Sequence, residues 1–170
     1  RGSVFWHRHS EEVNMSEGNW LLLSRTTRGA KQIEEEVRRR GHLYIYNGSK
    51  SIDAKVLEAV RLWESLREGT KIGCEQVKVV YSQMLLGTQV EYGHKTFSKG
   101  QSDQLYSLQD LQDFHGLLHS LPWDEGLGRI SDFDKRYIKA CLKKGESLTQ
   151  EPRIRISTIH SAKELRRQML

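Results

Sequence analysis

Six consecutive residues, Ser24-Arg25-Thr26-Thr27-Arg28-Gly29, set two guanidinium groups among hydroxyls. Such donors suit phosphate oxygens. The segment follows the apolar run Trp20-Leu21-Leu22-Leu23 and precedes a helical pattern, so it joins the carboxyl end of a strand to the start of a helix. Open α/β sheets bind ligands at that edge, and the free N–H groups that open a helix favour anions. Read alone, the same loop is also a solvated turn in which Thr27 or Ser24 only caps the helix. A second polar cluster, Thr158-Ile159-His160-Ser161-Ala162-Lys163, again follows a strand-like segment. It contains no Asp or Glu to orient His160, so a catalytic triad is not indicated. From spacing alone this cluster is a surface turn.

Other combinations of chemically capable residues point nowhere. His7 and His9 share one side of a possible strand with no third ligand in view. His115 and His119 stand four apart on a helical pattern, but position 116 is Gly, so the H-E-x-x-H zinc signature is absent. Cys74 and Cys141 are too few for a disulfide framework or a cysteine-rich zinc site. No G-x-x-x-x-G-K-[ST] loop occurs, so the chain has no P-loop of its own. Trp6, Trp20, Trp63 and Trp123 read as core residues rather than as a stacking platform.

The elements that must position the two polar loops follow from pattern. Ala30 to Arg40 is helical, with Ile33 and Val37 on one face, Glu34–Glu36 towards its start and Arg38–Arg40 in its last turn. Gly41 ends it. Leu43-Tyr44-Ile45-Tyr46 is a second strand, closed by Asn47-Gly48. Strand, helix and strand in about 30 residues make a βαβ unit with parallel strands. Helical patterns then cover Asp53 to Arg67 and Glu75 to Leu86, and 87–102 reads as a long polar loop without period. Ser107 with Asp110 and Ser131 with Asp134 fit the S-x-x-[DE] start signal, opening helices over about 108–120 and 132–144. After Pro152, Arg153-Ile154-Arg155-Ile156 returns to the period of a strand. The expected fold is α/β: a partial parallel sheet (1–51 and 151–170) interrupted by a mostly helical insertion (52–150).

The chain is 170 residues long with a net charge of +5, and its 29% charged residues and two prolines exclude a disordered or collagen-like class. No apolar run reaches the ~18–20 residues that span a bilayer. No secretory signal pattern opens the sequence, and a cytoplasmic protein with no membrane partner is expected. The charge is unevenly placed. Residues 19–50 carry seven bases against three acids and 151–170 carry five against two, while the rest has a slight acidic excess. If the two basic segments meet, they form a face for a polyanion.

Taken together, the two loops resemble the second motor domain of UvrD/Rep-type superfamily 1 DNA helicases. The likeness rests on Asn19 to Thr27, the Glu- and Arg-rich helix, Gly41 with Leu43–Tyr46 and Asn47-Gly48, and on Arg153 to Lys163, which is similar to helicase motif V. In that family a largely helical 2B insertion separates the two motifs, and here 52–150 occupies its place. The resemblance implies a RecA-like domain of an ATP-driven motor that moves along single-stranded DNA. It places Arg25, Thr27, Thr158 and His160 along the strand's track, with Arg28 and Lys163 as further phosphate contacts on charge grounds. Thr27 stands where the family has Asn, and Glu164 where it has Gly. The Walker motifs and the arginine-bearing motif VI are missing. The expectation is therefore a helicase fragment: ATP and Mg²⁺ serve the full-length protein, the partners are single-stranded DNA and the remaining helicase domains, and the fragment alone is inactive, with no catalytic residue and no metal site of its own. The alternative is a non-catalytic nucleic-acid- or protein-binding module derived from a helicase half.

Overall fold

The computed structural model describes residues 12–93 and 104–162. Lys163, the His7/His9 pair, Trp6 and most of the expected 87–102 loop therefore lie outside the described residues. The fold is α/β. The chain divides into two compact units, Arg1–Ser51 with Lys143–Glu146 and Glu151–Leu170, and Ile52–Leu142 with Ser147–Gln150.

The first unit is built on a four-stranded sheet. Its strands are β1 (Trp20–Ser24), β2 (Tyr44–Tyr46), β3 (Ser49–Lys50) and the strand contributed by the far end of the chain, Ile154–Thr158, which becomes β6 in chain order. The spatial order is β1-β6-β2-β3. β1 and β2 point the same way, as their βαβ connection requires, yet they do not touch. β6 lies between them, parallel to both. β3 is antiparallel to β2, joined by Asn47 and Gly48, both at positive φ. This is the two-residue turn that an Asn-Gly pair favours.

Helix α1 (Thr27–Arg39) crosses from β1 to β2. Thr26 is its N-cap, accepting from the Gly29 N–H at 3.0 Å, so neither Ser24 nor Thr27 takes that part. At the other end Gly41 has φ +76°. There the Gly41 N–H reaches the Arg38 carbonyl and the His42 N–H the Val37 carbonyl, the paired bonds of a Schellman motif. The Tyr44 phenol donates to Glu34 at 2.9 Å, which sets α1 over the sheet face carrying Tyr44, Ile154 and Ile156. Burial, then Glu34, pushes that phenol's pKa up to about 12. The opposite face is more open. Leu21 and Leu23 alternate onto it and are 59% and 44% exposed.

The second unit contains α2 (Ala54–Arg67), α3 (Cys74–Ser82), α4 (Leu108–Phe114), α5 (Trp123–Gly126) and α6 (Asp132–Lys143, whose last residue falls in the first unit), with a two-residue ladder of β4 (Ile72–Gly73) and β5 (Leu105–Tyr106). Its core gathers Trp63, Tyr81, Met84, Leu111, Leu127 and Ile138. Both S-x-x-D signals form: the Ser107 and Ser131 hydroxyls accept from the Asp110 and Asp134 N–H groups. The helix expected over 108–120 stops at Phe114. Gly116 takes φ +65°, and the chain doubles back so that Leu117 bridges Val90 in the core. Burying Leu117 outweighs two more helical turns. The described part of the expected loop, 87–93, is irregular and mostly exposed, but two of its residues, Gln89 and Val90, are buried. The Gln89 Oε1 accepts from the Leu85 and Gly128 N–H groups and its amide donates to the Glu125 carbonyl. Among the described residues no helix is long and apolar enough to cross a membrane.

His119 gives this unit a pH signature. It stands edge-on to Trp63, its Nδ1 accepts from the Leu121 N–H, and its Nε2 is buried without a hydrogen-bond partner among the described residues. Burial lowers its pKa from the usual 6.5. The folded state therefore holds fewer protons than the unfolded one below that value, and stability falls as pH drops from 7 towards 5. The carboxylates with lowered pKa values, Glu36, Asp110 and Asp124, lose their contribution only at still lower pH. On acidification the urea midpoint of the wild type should fall relative to that of His119→Phe, and parallel curves would count against this assignment.

Candidate nucleic-acid interface

Register decides what the two polar loops can do together. Ser24, the last residue of β1, is the Cα partner of Thr158, the last residue of β6. Adjacent strands lie about 4.8 Å apart, so the Arg25-Thr26 bend that leads into α1 and the helical residues 159–162 that follow β6 leave the same sheet edge side by side. The second segment opens a helix and is not the surface turn that its spacing suggests. A third segment joins them: the Asn47 N–H donates to the Ile156 carbonyl, bringing the Asn47-Gly48 turn to that edge. Sequence reasoning missed this neighbour, although an Asn-Gly turn at the end of a strand parallel to β1 could have signalled it.

No protein-family model matches this chain, and neither a curated protein nor a solved structure matches it.

Arg25, Thr27, Arg28 and His160 are exposed, and Thr158 is half-buried. Neither Arg25 nor Arg28 has an ion-pair partner among the described residues. Thr27 and Arg28 open α1, whose first turn carries no acid, and their N–H groups point out of the helix mouth. The Thr158 hydroxyl lies 3.0 Å from the Ser161 hydroxyl and accepts from the Ser161 N–H at 3.3 Å. It thus caps the helical residues 159–162, which carry His160. Both guanidinium groups are available to an anion, which would approach along the edge where helix N–H groups add their partial charge.

Among the described residues, most arginines of the two charged segments do not gather on one broad face. α1 has 13 residues and is about 20 Å long, so its last turn is carried to the opposite end of the sheet from Arg25 and Arg28. There Arg39 and Arg40 both bind Glu36; Arg40 first and Arg39 next hold that carboxyl below its ordinary range. Arg38 lies beside Tyr44. Arg153 binds Glu146 and the Gly18 carbonyl, and Arg155 binds Glu151. These cations are largely neutralised by acids of their own unit. Arg25 and Arg28, at the carboxyl edge, have no such acid among the described residues.

The sequence has no P-loop, and the described residues contain no group of three or more metal-ligating side chains.

Proposed function

We propose that this chain is part of an ATP-dependent DNA helicase of the UvrD/Rep type and that its α/β unit supplies a stretch of single-stranded-DNA track in the carboxyl-terminal motor half. The observation that carries the reading is the pairing of Ser24 with Thr158: it sets side by side the two loops that the resemblance assigns to the track. Arg25 and Arg28 would hold phosphates, with His160 and Thr27 beside them. Phosphate contacts position a strand without reading its sequence, as a translocating motor needs. In the whole enzyme, ATP, Mg²⁺ and the remaining helicase domains would complete the motor. The second reading, a non-catalytic nucleic-acid- or protein-binding module, draws on the lack of a P-loop in this sequence and uses the same edge.

Titration of labelled oligonucleotides at several salt concentrations tests the site. Arg25→Ala and Arg28→Ala should each weaken binding about tenfold, equally across base sequences. Each should also lower the slope of log K against log salt by about 0.7, the value for one phosphate on a single strand. His160→Ala should weaken binding as well. Unchanged affinity in all three variants would sink the assignment. ATP turnover stimulated by single-stranded DNA in the protein encoded by the complete gene favours the helicase, whereas DNA binding without turnover favours the module.

A further inference from the structure

Gly29 lies in the first turn of α1 with no positive φ to demand glycine, at a position where alanine is the better helix former. Space explains it. A Cβ at residue 29 would sit 2.3 Å from the Ser24 Oγ and 3.3 Å from the Thr26 Oγ1. The Ser24 hydroxyl occupies the room that glycine leaves, and from there it accepts from the Thr26 N–H at 3.3 Å. That bond spans Arg25. Thr158, the register partner of Ser24, accepts from the Ser161 N–H three residues on, the same spacing by which Thr26 caps α1 at Gly29.

We infer that Ser24 is a positioning residue of this nucleic-acid edge and that Gly29 is glycine to admit its hydroxyl. This rests on the reading proposed above. The Ser24 bond holds the turn in one shape, so that Arg25 is presented to a phosphate without first being ordered, and preorganised groups bind more tightly than mobile ones. A methyl at 29 would rotate the Ser24 hydroxyl away and release the turn. The Ser24 hydroxyl has to move and the capping Thr26 Oγ1 to give by a few tenths of an ångström, both side-chain ends, while the helix gains a better former. Fold stability should therefore hold or rise while binding falls, a split that a purely structural role would not produce.

A double-mutant cycle on the intact chain tests this, using a fluorescein-labelled oligothymidylate as the probe. Gly29→Ala and Ser24→Ala should each raise Kd about fivefold with the thermal midpoint of Gly29→Ala equal to or above wild type. The double variant should be no worse than either single one, since both remove the same bond. Unchanged binding by Gly29→Ala, or a double variant equal to the product of the two losses, overturns the inference. Failure of the functional reading looks different, because the wild-type chain then does not bind the probe and the role of Ser24 falls with it. Amide hydrogen exchange at Thr26, measured without DNA, separates the geometry from both outcomes. It should quicken in both single variants, and an unchanged rate shows that Ser24 does not order the turn.

Discussion

Trp63→Ala should destabilise the helical unit by about 4 kcal/mol, the middle of the range for deleting a fully buried large aromatic side chain. Trp63 is 0% exposed, and its indole N–H donates to the Leu121 carbonyl at 2.9 Å. Its neighbours offer little room to collapse into the cavity. Gly126 approaches so closely that an added Cβ there would meet both the indole nitrogen and the Leu121 carbonyl at 3.0 Å. The backbone around the ring is tied as well: Glu64 accepts from the Trp123 N–H, and Arg67 donates to the Ser120 carbonyl. Trp63→Phe should cost about half as much, because it keeps most of the ring but leaves the Leu121 carbonyl unpaired. Urea unfolding followed by far-ultraviolet circular dichroism measures both, and a loss below about 1.5 kcal/mol for alanine would contradict this account of the core.

The second large effect is expected in the sheet unit, at Glu146. Its carboxylate is 7% exposed and accepts from His42 at 2.7 Å and from Arg153 at 3.1 Å. Arg153 also donates to the Gly18 carbonyl. One buried acid thereby ties together the turn after α1, the segment before β1, the approach to β6 and the returning stretch Lys143–Glu146. Removing one partner of a buried pair leaves the other groups desolvated without compensation, so Glu146→Ala should lower stability by about 3 kcal/mol. Glu146→Gln, which keeps an acceptor but not the charge, should lose less. Slowly exchanging amides of Ile154–Thr158 provide the measurement. If their protection is the same in Glu146→Ala as in wild type, Glu146 is not holding this end of the sheet.

Several features were legible because they depend on residues within a few positions of one another. The strand at Trp20–Leu23, the C-terminal glycine of α1, the Asn-Gly turn and the two Ser–Asp caps all form from neighbours that meet as soon as the local backbone folds. The helix over 108–120 failed for the opposite reason. A start signal says nothing about length, and Leu117 gained more from a distant core partner than from another turn. Gln89 and Glu146 gave no signal, since a polar residue in a polar stretch looks solvated until groups far along the chain close around it.

The sequence by itself determined the α/β class, the positions of both polar loops and the identity of the groups they carry. Only the tertiary structure decided that the last strand enters between the first two, because that pairing joins residues more than 100 positions apart. It also divided the charge: a helix of 13 residues carries Arg38–Arg40 away from Arg25 and Arg28, and acids brought close by folding neutralise much of the rest. Net charge counts every cation alike, whereas a bound polyanion meets only those that share an edge and lack a nearer acid. Of the described arginines in the basic segments, Arg25 and Arg28 are the two that folding leaves at the carboxyl edge without a nearer acid.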